Sequence, residues 1–221
     1  MLKFVALQDH ASHVATTVAL EEQGIPDLLM VYFSGVDAAE HQYWAYYQPD
    51  EFSQRPSAED VAALGHVVPG YYRYIDAIVG DLLKRLPKDA LVVVLSDHGQ
   101  GPNPNYRPEV TISEYGKWVS GTHGEAPPGI LLFSGPGVKP GRVGHTTVFD
   151  IAPTLLALLG IPPTQDMPGR VVTEAFVPEV RESLPTDRVA RTFMPMEFAP
   201  PTPAAADPDL LEKLRSLGYI R

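Results

Sequence analysis

The sequence lacks cysteine altogether among its 221 residues. This absence excludes disulfide bonds, thiolate metal ligands and cysteine nucleophiles, although it does not fix the compartment in which the protein works. Long apolar runs are also missing, since no stretch approaches the roughly 18 residues that a membrane-spanning helix requires. The opening apolar stretch is broken by Gln8, Asp9 and His10 and is too short for a signal peptide. We therefore predict no membrane span and leave the localisation open.

Basic residues are scarce relative to acidic ones. Lys and Arg together number 17 against 27 Asp and Glu, which gives a net charge of −10. A protein that binds the phosphate backbone of nucleic acids needs the opposite sign, so binding to nucleic-acid polymers is disfavoured. The hydrophobic share of 44% and the charged share of 20% are those of an ordinary folded protein.

Proline is abundant, with 23 residues, about twice the usual share of roughly 5%. Its distribution is uneven, because ten prolines follow Gly160 and seven more lie from Pro102 to Pro140. We interpret residues 1–161 as the core of the protein. Residues 162–221 are interpreted as a loop-rich C-terminal tail that ends in a helix.

Three short apolar runs predict strands buried on both faces: Leu28–Phe33, Leu91–Leu95 and Ile130–Phe133. Helical patterns occur before, between and after these runs: near Ser12–Gln23, over Ser57–Leu86 with a kink or break at Pro69-Gly70, over Thr147–Leu159 and over Pro208–Leu217. Buried strands that alternate with helices indicate an α/β protein with a mostly parallel sheet flanked by helices.

Polar side chains cluster where the predicted strands end. Asp37 and His41 follow the first strand, Asp97 and His98 follow the second, and His123 comes just before the third. Ligands gather beyond the carboxyl ends of the strands in such sheets, so we expect these residues near one edge. Carboxylate oxygen and neutral imidazole nitrogen are ordinary zinc ligands, and mixed sets also suit manganese. We predict a metal site built from these residues, which makes residues 1–161 a metal-binding α/β core.

The spacing of these residues supports the interpretation to different degrees. Asp37 and His41 share one face if residues 37 to 41 form a helical turn. Asp97 and His98 are adjacent and can reach one ion, or two neighbouring ions, on the tight turn that Gly99 permits. Each motif alone is more often a hydrogen-bonded pair or a simple turn. Their coincidence at three strand ends is what favours a metal.

The remaining histidines are weaker candidates. His10 and His13 precede the first strand, His66 lies in a helical segment, and His145 comes just before a predicted helix cap. An aromatic cluster follows His41 and either packs in the core or forms the wall of a substrate pocket: Tyr43, Trp44, Tyr46 and Tyr47.

The ordered motifs resemble the alkaline phosphatase superfamily, and within it the type I phosphodiesterase/nucleotide pyrophosphatase family. Three stretches carry the similarity: Gly35 to Trp44, Ser96 to Gly99, and Gly121 to His123. Further stretches agree with it: Pro69 to Asp76, Ser134 to Gly141, Asp150 to Gly160, and Leu214 to Ile220. The resemblance runs from about Pro26 to the end and implies an alkaline-phosphatase-like fold.

The resemblance also implies a mechanism for hydrolysis of phosphate esters, in phosphodiester or pyrophosphate bonds. Two metal ions, usually zinc, flank a Thr or Ser nucleophile, which forms a covalent phospho-enzyme that water then hydrolyses. Asp37, His41 and His123 would hold one ion. Asp97 and His98 would hold the second, which is completed by another aspartate and by the nucleophile oxygen.

The chain departs from the family pattern at that nucleophile. Only 36 residues precede Asp37, and they contain no strand followed by Asp and a helix that begins with Thr or Ser. We therefore expect this chain to be the C-terminal portion of a longer or split enzyme, with no catalytic nucleophile of its own. The missing part would then carry any export signal, and a separate N-terminal chain is one candidate partner.

Other interpretations remain open at this point. A sulfatase and a metal-dependent phosphoglycerate mutase share the superfamily scaffold. A non-catalytic, metal-stabilised binding module and a plain α/β domain with incidental histidines are alternatives of a different class. The sequence does not name the substrate, for which the stretch from Gly101 to Ser120 is the local candidate region.

Overall fold

A computed structural model describes most of the chain, namely residues 2–108 and 119–190, with four further positions near the C-terminus: Pro208, Leu211, Glu212 and Arg215. Its α-helices are α1 (Leu2–Gln23), α2 (Gly35–Tyr47), α3 (Ala58–Leu64), α4 (Val67–Arg85), α5 (Ile151–Leu158) and α6 (Pro178–Ser183). Its strands are β1 (Val92–Leu95), β2 (Gly101–Pro102), β3 (Gly121–Thr122) and β4 (Leu131–Ser134). Short 3₁₀ turns cover Pro49–Glu51, Val148–Asp150 and Thr173–Ala175.

The chain divides into two compact units. The first unit comprises Met1–Leu86, His98–Gly129 and Ala205–Arg221, and the second comprises Pro87–Asp97 and Ile130–Ala204. Helices α1 to α4 and strands β2 and β3 therefore belong to the first unit. Strands β1 and β4 and helices α5 and α6 belong to the second.

Helix α1 ends at the predicted place but begins earlier. Gly24, at φ +82°, follows the helix, and its N–H donates to the carbonyl of Leu20 at 3.2 Å. Glycine adopts this left-handed conformation without steric cost, which is why it terminates the helix. The buried positions of α1 are Asp9 and Leu20. Leu20 packs with Ile78 and Leu82 of α4 to form one core of the first unit.

The break in the segment Ser57–Leu86 falls before the predicted Pro69-Gly70. Helix α3 is capped by Ser57, whose hydroxyl accepts from the backbone N–H of Asp60 at 3.0 Å. After Gly65 a second helix, α4, begins at Val67 and runs through the proline. Pro69 lies in the first turn of α4, where backbone N–H groups have no partner within the helix, so its missing donor costs little.

The run Leu28–Phe33, predicted as a buried strand, forms no strand in the structure. Met30 is 76% exposed and Tyr32 is 77% exposed. The prediction fails because an apolar run becomes a strand only when a neighbouring strand takes up its backbone N–H and C=O groups.

The other two predicted strands are present as β1 and β4, and they pair with each other antiparallel, with Val92 opposite Ser134 and Leu95 opposite Leu131. Strands β2 and β3 form a second, also antiparallel, pair. The mixed α/β class is thus confirmed, whereas among the described residues neither sheet is parallel. Parallel sheets are covered on both faces, but β4 alternates between half-buried and exposed residues, which suits an antiparallel strand.

The second unit has a core of its own, formed by Val172, Ala175 and Phe176. Leu91 and Phe133 pack against this core. The three core residues come from the proline-rich part of the chain that the sequence suggested to be loop. Gly160, at φ +74°, follows α5 as predicted. At the predicted C-terminal helix, the four described positions are helical. Among the described residues, no helix is long and apolar enough to cross a membrane.

Candidate metal centre

Helix α2 carries two of the predicted ligands on one face. Asp37 lies in its first turn and His41 one turn later, and His41 Nε2 is 3.3 Å from Asp37 Oδ1. An acid in the first turn is also favoured by the partial positive charge of a helix N-terminus. His41 is 3% exposed, so the face that carries it is turned inward.

Strand β3 brings the third ligand to α2. The His41 Nδ1–H donates to the carbonyl of Gly121 at 2.7 Å, and the N–H of Ser120 donates to the carbonyl of His41 at 2.7 Å. A side chain at Gly121 would lie 2.5 Å from the carbonyl oxygen of Glu40, so only glycine allows this close approach. His123, which directly follows β3, is thereby placed beside the helix.

Asp37, His41 and His123 offer ligand atoms that all lie within 4.8 Å of one another. His123 Nε2 is 3.1 Å from Asp37 Oδ1, the same carboxylate oxygen that faces His41. The two imidazole rings have centroids 4.6 Å apart. The structure thus brings three of the five predicted metal ligands together.

The hydrogen bonding of His41 makes this group suited to a cation. A carbonyl oxygen only accepts hydrogen bonds, so the bond to Gly121 assigns a proton to Nδ1 and leaves Nε2 as the nitrogen that can bind a metal. Nε2 is buried and makes no hydrogen bond, although it lies 3.3 Å from Asp37 Oδ1. A cation beside both atoms would be bound by the imidazole nitrogen and the carboxylate together. The set of two imidazole nitrogens and one carboxylate oxygen fits zinc.

The charge of Asp37 is stabilised by the same neighbours. Burial raises the pKa of its carboxyl, but the contacts with His123 and His41 outweigh burial and hold the pKa well below its usual range. The carboxylate is therefore ionised at neutral pH and available as a ligand.

The first 126 residues carry a recognisable family pattern. The sequence matches the family described as type I phosphodiesterase / nucleotide pyrophosphatase over residues 3–126, which is more than half of the chain. The chain belongs to this family. The family resemblance noted from its motifs is thereby confirmed over residues 3–126.

Among curated proteins, the chain is similar to a 2,3-bisphosphoglycerate-independent phosphoglycerate mutase of Rippkaea orientalis. The two are 29% identical over 126 residues, which is 53% of this chain and 22% of the mutase. The chain thus spans about a fifth of the length of that relative. No solved structure matches the chain.

Of the two ligands predicted for a second ion, His98 lies beside the group of three. Its ring stacks on His123 with centroids 3.6 Å apart and an angle of 31° between the ring planes. A side chain at Gly99 would lie 2.5 Å from the carbonyl oxygen of Pro127, which explains the glycine in this Asp-His-Gly motif of the phosphodiesterase-family chain. Asp97 ends a segment of the second unit. Its role at a second ion stays a prediction.

The other histidines are engaged elsewhere or lie on the surface. His13 Nε2 contacts Asp81 Oδ2 at 3.0 Å. His10 is exposed, and His66 occupies the N-cap position of α4. The backbone carbonyl of His145 accepts from Arg170 at 3.3 Å. None of the four belongs to the group around Asp37.

The aromatic cluster after His41 contributes to a second core of the first unit. Trp44 packs against Ala45, Phe52 and Tyr106, and its indole N–H donates to Glu51 Oε2 at 2.7 Å. This packing accounts for Trp44 without a substrate. Part of the stretch from Gly101 to Ser120, predicted as a specificity region, lies outside the described residues.

Two acidic residues near the candidate metal centre were not predicted from the sequence. Glu40 precedes His41 and accepts from the Tyr72 hydroxyl at 3.0 Å. Burial raises the pKa of Glu40 more than this hydrogen bond lowers it, and burial together with Glu40 raises the pKa of Tyr72. Asp9 is buried in α1 at 1% exposure. The sequence feature that could have identified Asp9 is that this acidic residue shares one helical face with the apolar residues Val5 and Leu20.

Proposed function

We propose that this chain contributes a metal site to the hydrolysis of phosphate esters, in phosphodiester or pyrophosphate bonds, by a two-zinc mechanism. The single observation that carries the proposal is the convergence of Asp37, His41 and His123 around Nε2 of His41, a buried nitrogen that makes no hydrogen bond. Family membership supports the reaction class. Manganese is the alternative metal, since mixed nitrogen and oxygen ligands suit it as well.

When bound, the ions supply polarisation of a phosphoryl oxygen and a lowered pKa for the attacking nucleophile. The protein's part is to present ligands in a fixed orientation. Gly121 holds the ring of His41 through Nδ1, so that Nε2 lies 3.3 Å from Asp37 Oδ1. Asp37 supplies a negative charge to the same point, and His123 supplies a second nitrogen.

Asp97 and His98 complete the proposal as ligands of a second ion. His98 is supported by its stacking on His123, and Asp97 by the family motif alone. No residue of this chain is assigned as the nucleophile. We therefore propose that turnover requires a partner segment that supplies a Thr or Ser and a further aspartate, such as a separate N-terminal chain.

Zinc content tests the metal site directly. His123→Ala should remove most of the zinc that the purified chain binds, as measured by elemental analysis after dialysis. His10→Ala, the same change at an exposed position of the first unit, is the matched control and should leave the zinc content unchanged. Equal zinc in the two variants would overturn the assignment.

Catalysis is tested separately. The chain alone should hydrolyse bis-nitrophenyl phosphate little or not at all, because we assign no nucleophile to it. Turnover at a rate typical of a complete enzyme would show that a nucleophile within this chain has been overlooked. A non-catalytic, metal-stabilised binding module would bind zinc in the same way but gain no activity when an N-terminal partner is added.

A phosphoglycerate-mutase-like activity is the second candidate, and similarity to the Rippkaea orientalis protein favours it. Both candidates use the same metal group and differ in the phosphate ester that they accept. A panel of a phosphodiester, a pyrophosphate, a phosphoglycerate and a sulfate ester, assayed with the reconstituted enzyme, separates them. The sulfate ester tests the sulfatase alternative.

A further inference from the structure

We propose that Asp9 is a positioning residue for the metal centre. Its carboxylate caps α2 from a neighbouring helix and thereby holds Asp37 where His41 and His123 meet it. This inference rests on the proposed function, because it assigns Asp9 a role in the affinity of that same site.

Asp9 is held by three donors. Its Oδ1 accepts from the backbone N–H of Ser34 at 3.1 Å, and its Oδ2 accepts from the backbone N–H of Gly35 at 3.0 Å and from the Tyr71 hydroxyl at 2.7 Å. The side chain is 1% exposed. A carboxylate so deeply buried is tolerated because charge-assisted hydrogen bonds surround it.

Helix α2 depends on this distant cap because its own N-cap residue provides none. Ser34 occupies the N-cap position, yet its side chain makes no capping hydrogen bond. The first N–H groups of a helix have no intrahelical partner, and a nearby negative charge is favoured by the helix dipole. The Asp9 carboxylate accepts hydrogen bonds from such N–H groups and also supplies the negative charge. A side chain at Gly35 would overlap the Tyr71 hydroxyl and the Asp9 carboxylate, so the glycine keeps the place open.

The cap acts on one ligand in particular. Asp37 lies only two residues after Gly35, in the first turn of α2, which frays most readily when its cap is lost. His41 lies a turn further on, and its ring is fixed separately by the carbonyl of Gly121. Loss of Asp9 should therefore displace Asp37 more than His41.

The experiment measures zinc affinity of the full chain by competition with a chromophoric chelator. Asp9→Asn should lower the affinity by about 10-fold, and Asp9→Ala by more, as is typical of groups that orient metal ligands. Tyr71→Phe keeps both backbone bonds to Asp9 and should have a smaller effect. Ile78→Val shortens a core side chain of the same unit and should lower thermal stability while zinc affinity stays unchanged.

A double-mutant cycle distinguishes positioning from a general loss of structure. In an Asp37→Ala background, Asp9→Asn should change the remaining zinc affinity less than twofold, because the ligand that it positions is gone. The same 10-fold loss in both backgrounds would overturn the inference. So would unchanged affinity of Asp9→Asn, while the metal site itself would stand. If the unaltered chain binds no zinc, the proposed function fails and this inference fails with it. If Asp9→Ala does not fold, the zinc affinities of Asp9→Asn and Tyr71→Phe test the inference instead.

Discussion

Asp37 in the first unit and Asp150 in the second both have a lowered pKa, but different donors surround them. Burial raises the pKa of each carboxyl, and the neighbouring donors outweigh it. Around Asp150 these donors are the backbone N–H groups of Thr147 and Arg170, at 2.8 and 2.7 Å, and the Thr147 hydroxyl at 3.2 Å. Around Asp37 the donor is the ring nitrogen of His123, 3.1 Å from Oδ1, while Nε2 of His41 lies 3.3 Å from the same oxygen without a hydrogen bond.

The difference separates a structural acid from a candidate ligand. A backbone N–H is always a donor and cannot bind a cation, so the site of Asp150 is complete as it stands. An imidazole nitrogen exchanges its proton for a metal ion, and one of the two at Asp37 lacks a hydrogen-bond partner. The identity of the donors therefore distinguishes the two acids, although the pKa shift has the same direction.

The largest expected effect is the loss of zinc affinity in Asp37→Asn. We expect zinc affinity to fall by more than about 100-fold, since a direct ligand is lost. The free energy of unfolding of the metal-free chain should change by less than about 1 kcal/mol, because the side chain is 36% exposed. Chelator competition and urea denaturation measure the two quantities. Asp76→Asn, at an exposed position of α4, is the control, and equal affinities in the two variants would contradict the assignment.

Asp150→Asn should show the reverse pattern. We expect a loss of about 2 to 3 kcal/mol in the free energy of unfolding, because an amide cannot accept from all of these donors. Zinc affinity should stay unchanged. Glu174→Gln makes the same chemical change at an exposed pair with Arg170 and should cost less than about 1 kcal/mol. If the two variants are equally stable, the hydrogen bonds of Asp150 do not stabilise the second unit.

The smallest expected effect is the change with pH in how much Asp150 stabilises the folded chain. The pKa of Asp150 in the folded chain lies below its ordinary value of 3.8, so its stabilising contribution is complete above about pH 5. That contribution is lost as the pH falls through the folded pKa. The stability difference between the unaltered chain and Asp150→Asn should therefore narrow between pH 5 and pH 2, as measured by urea midpoints. A constant difference would mean that the charge of Asp150 is not its source.

Local sequence patterns predicted those parts of the molecule that local interactions determine. The spacing of Asp37 and His41 places them on one helical face, and Gly24 and Gly160 end helices, because each depends on a few neighbouring residues. The run Leu28–Phe33 was misinterpreted, since its conformation depends on whether a distant segment pairs with it.

The contacts that support the metal centre were beyond such patterns. Asp9 lies 26 residues before Gly35 and 62 residues before Tyr71, and no local periodicity links positions so far apart. The bond between His41 and Gly121 is of the same kind. Motif resemblance could name candidate ligands, but the groups that hold them became visible only in the folded chain.

The separation of the ligands along the chain has a consequence for folding. Asp37 and His123 are 86 residues apart, yet they meet at 3.1 Å. An ion that binds both residues would close a long loop. Closing such a loop lowers the entropy of the chain, and the metal–ligand bonds would offset that cost. If the proposed ion binds, its binding energy would also be folding energy for the first unit. Zinc would then act as a cross-link in a chain that has no cysteine with which to form one.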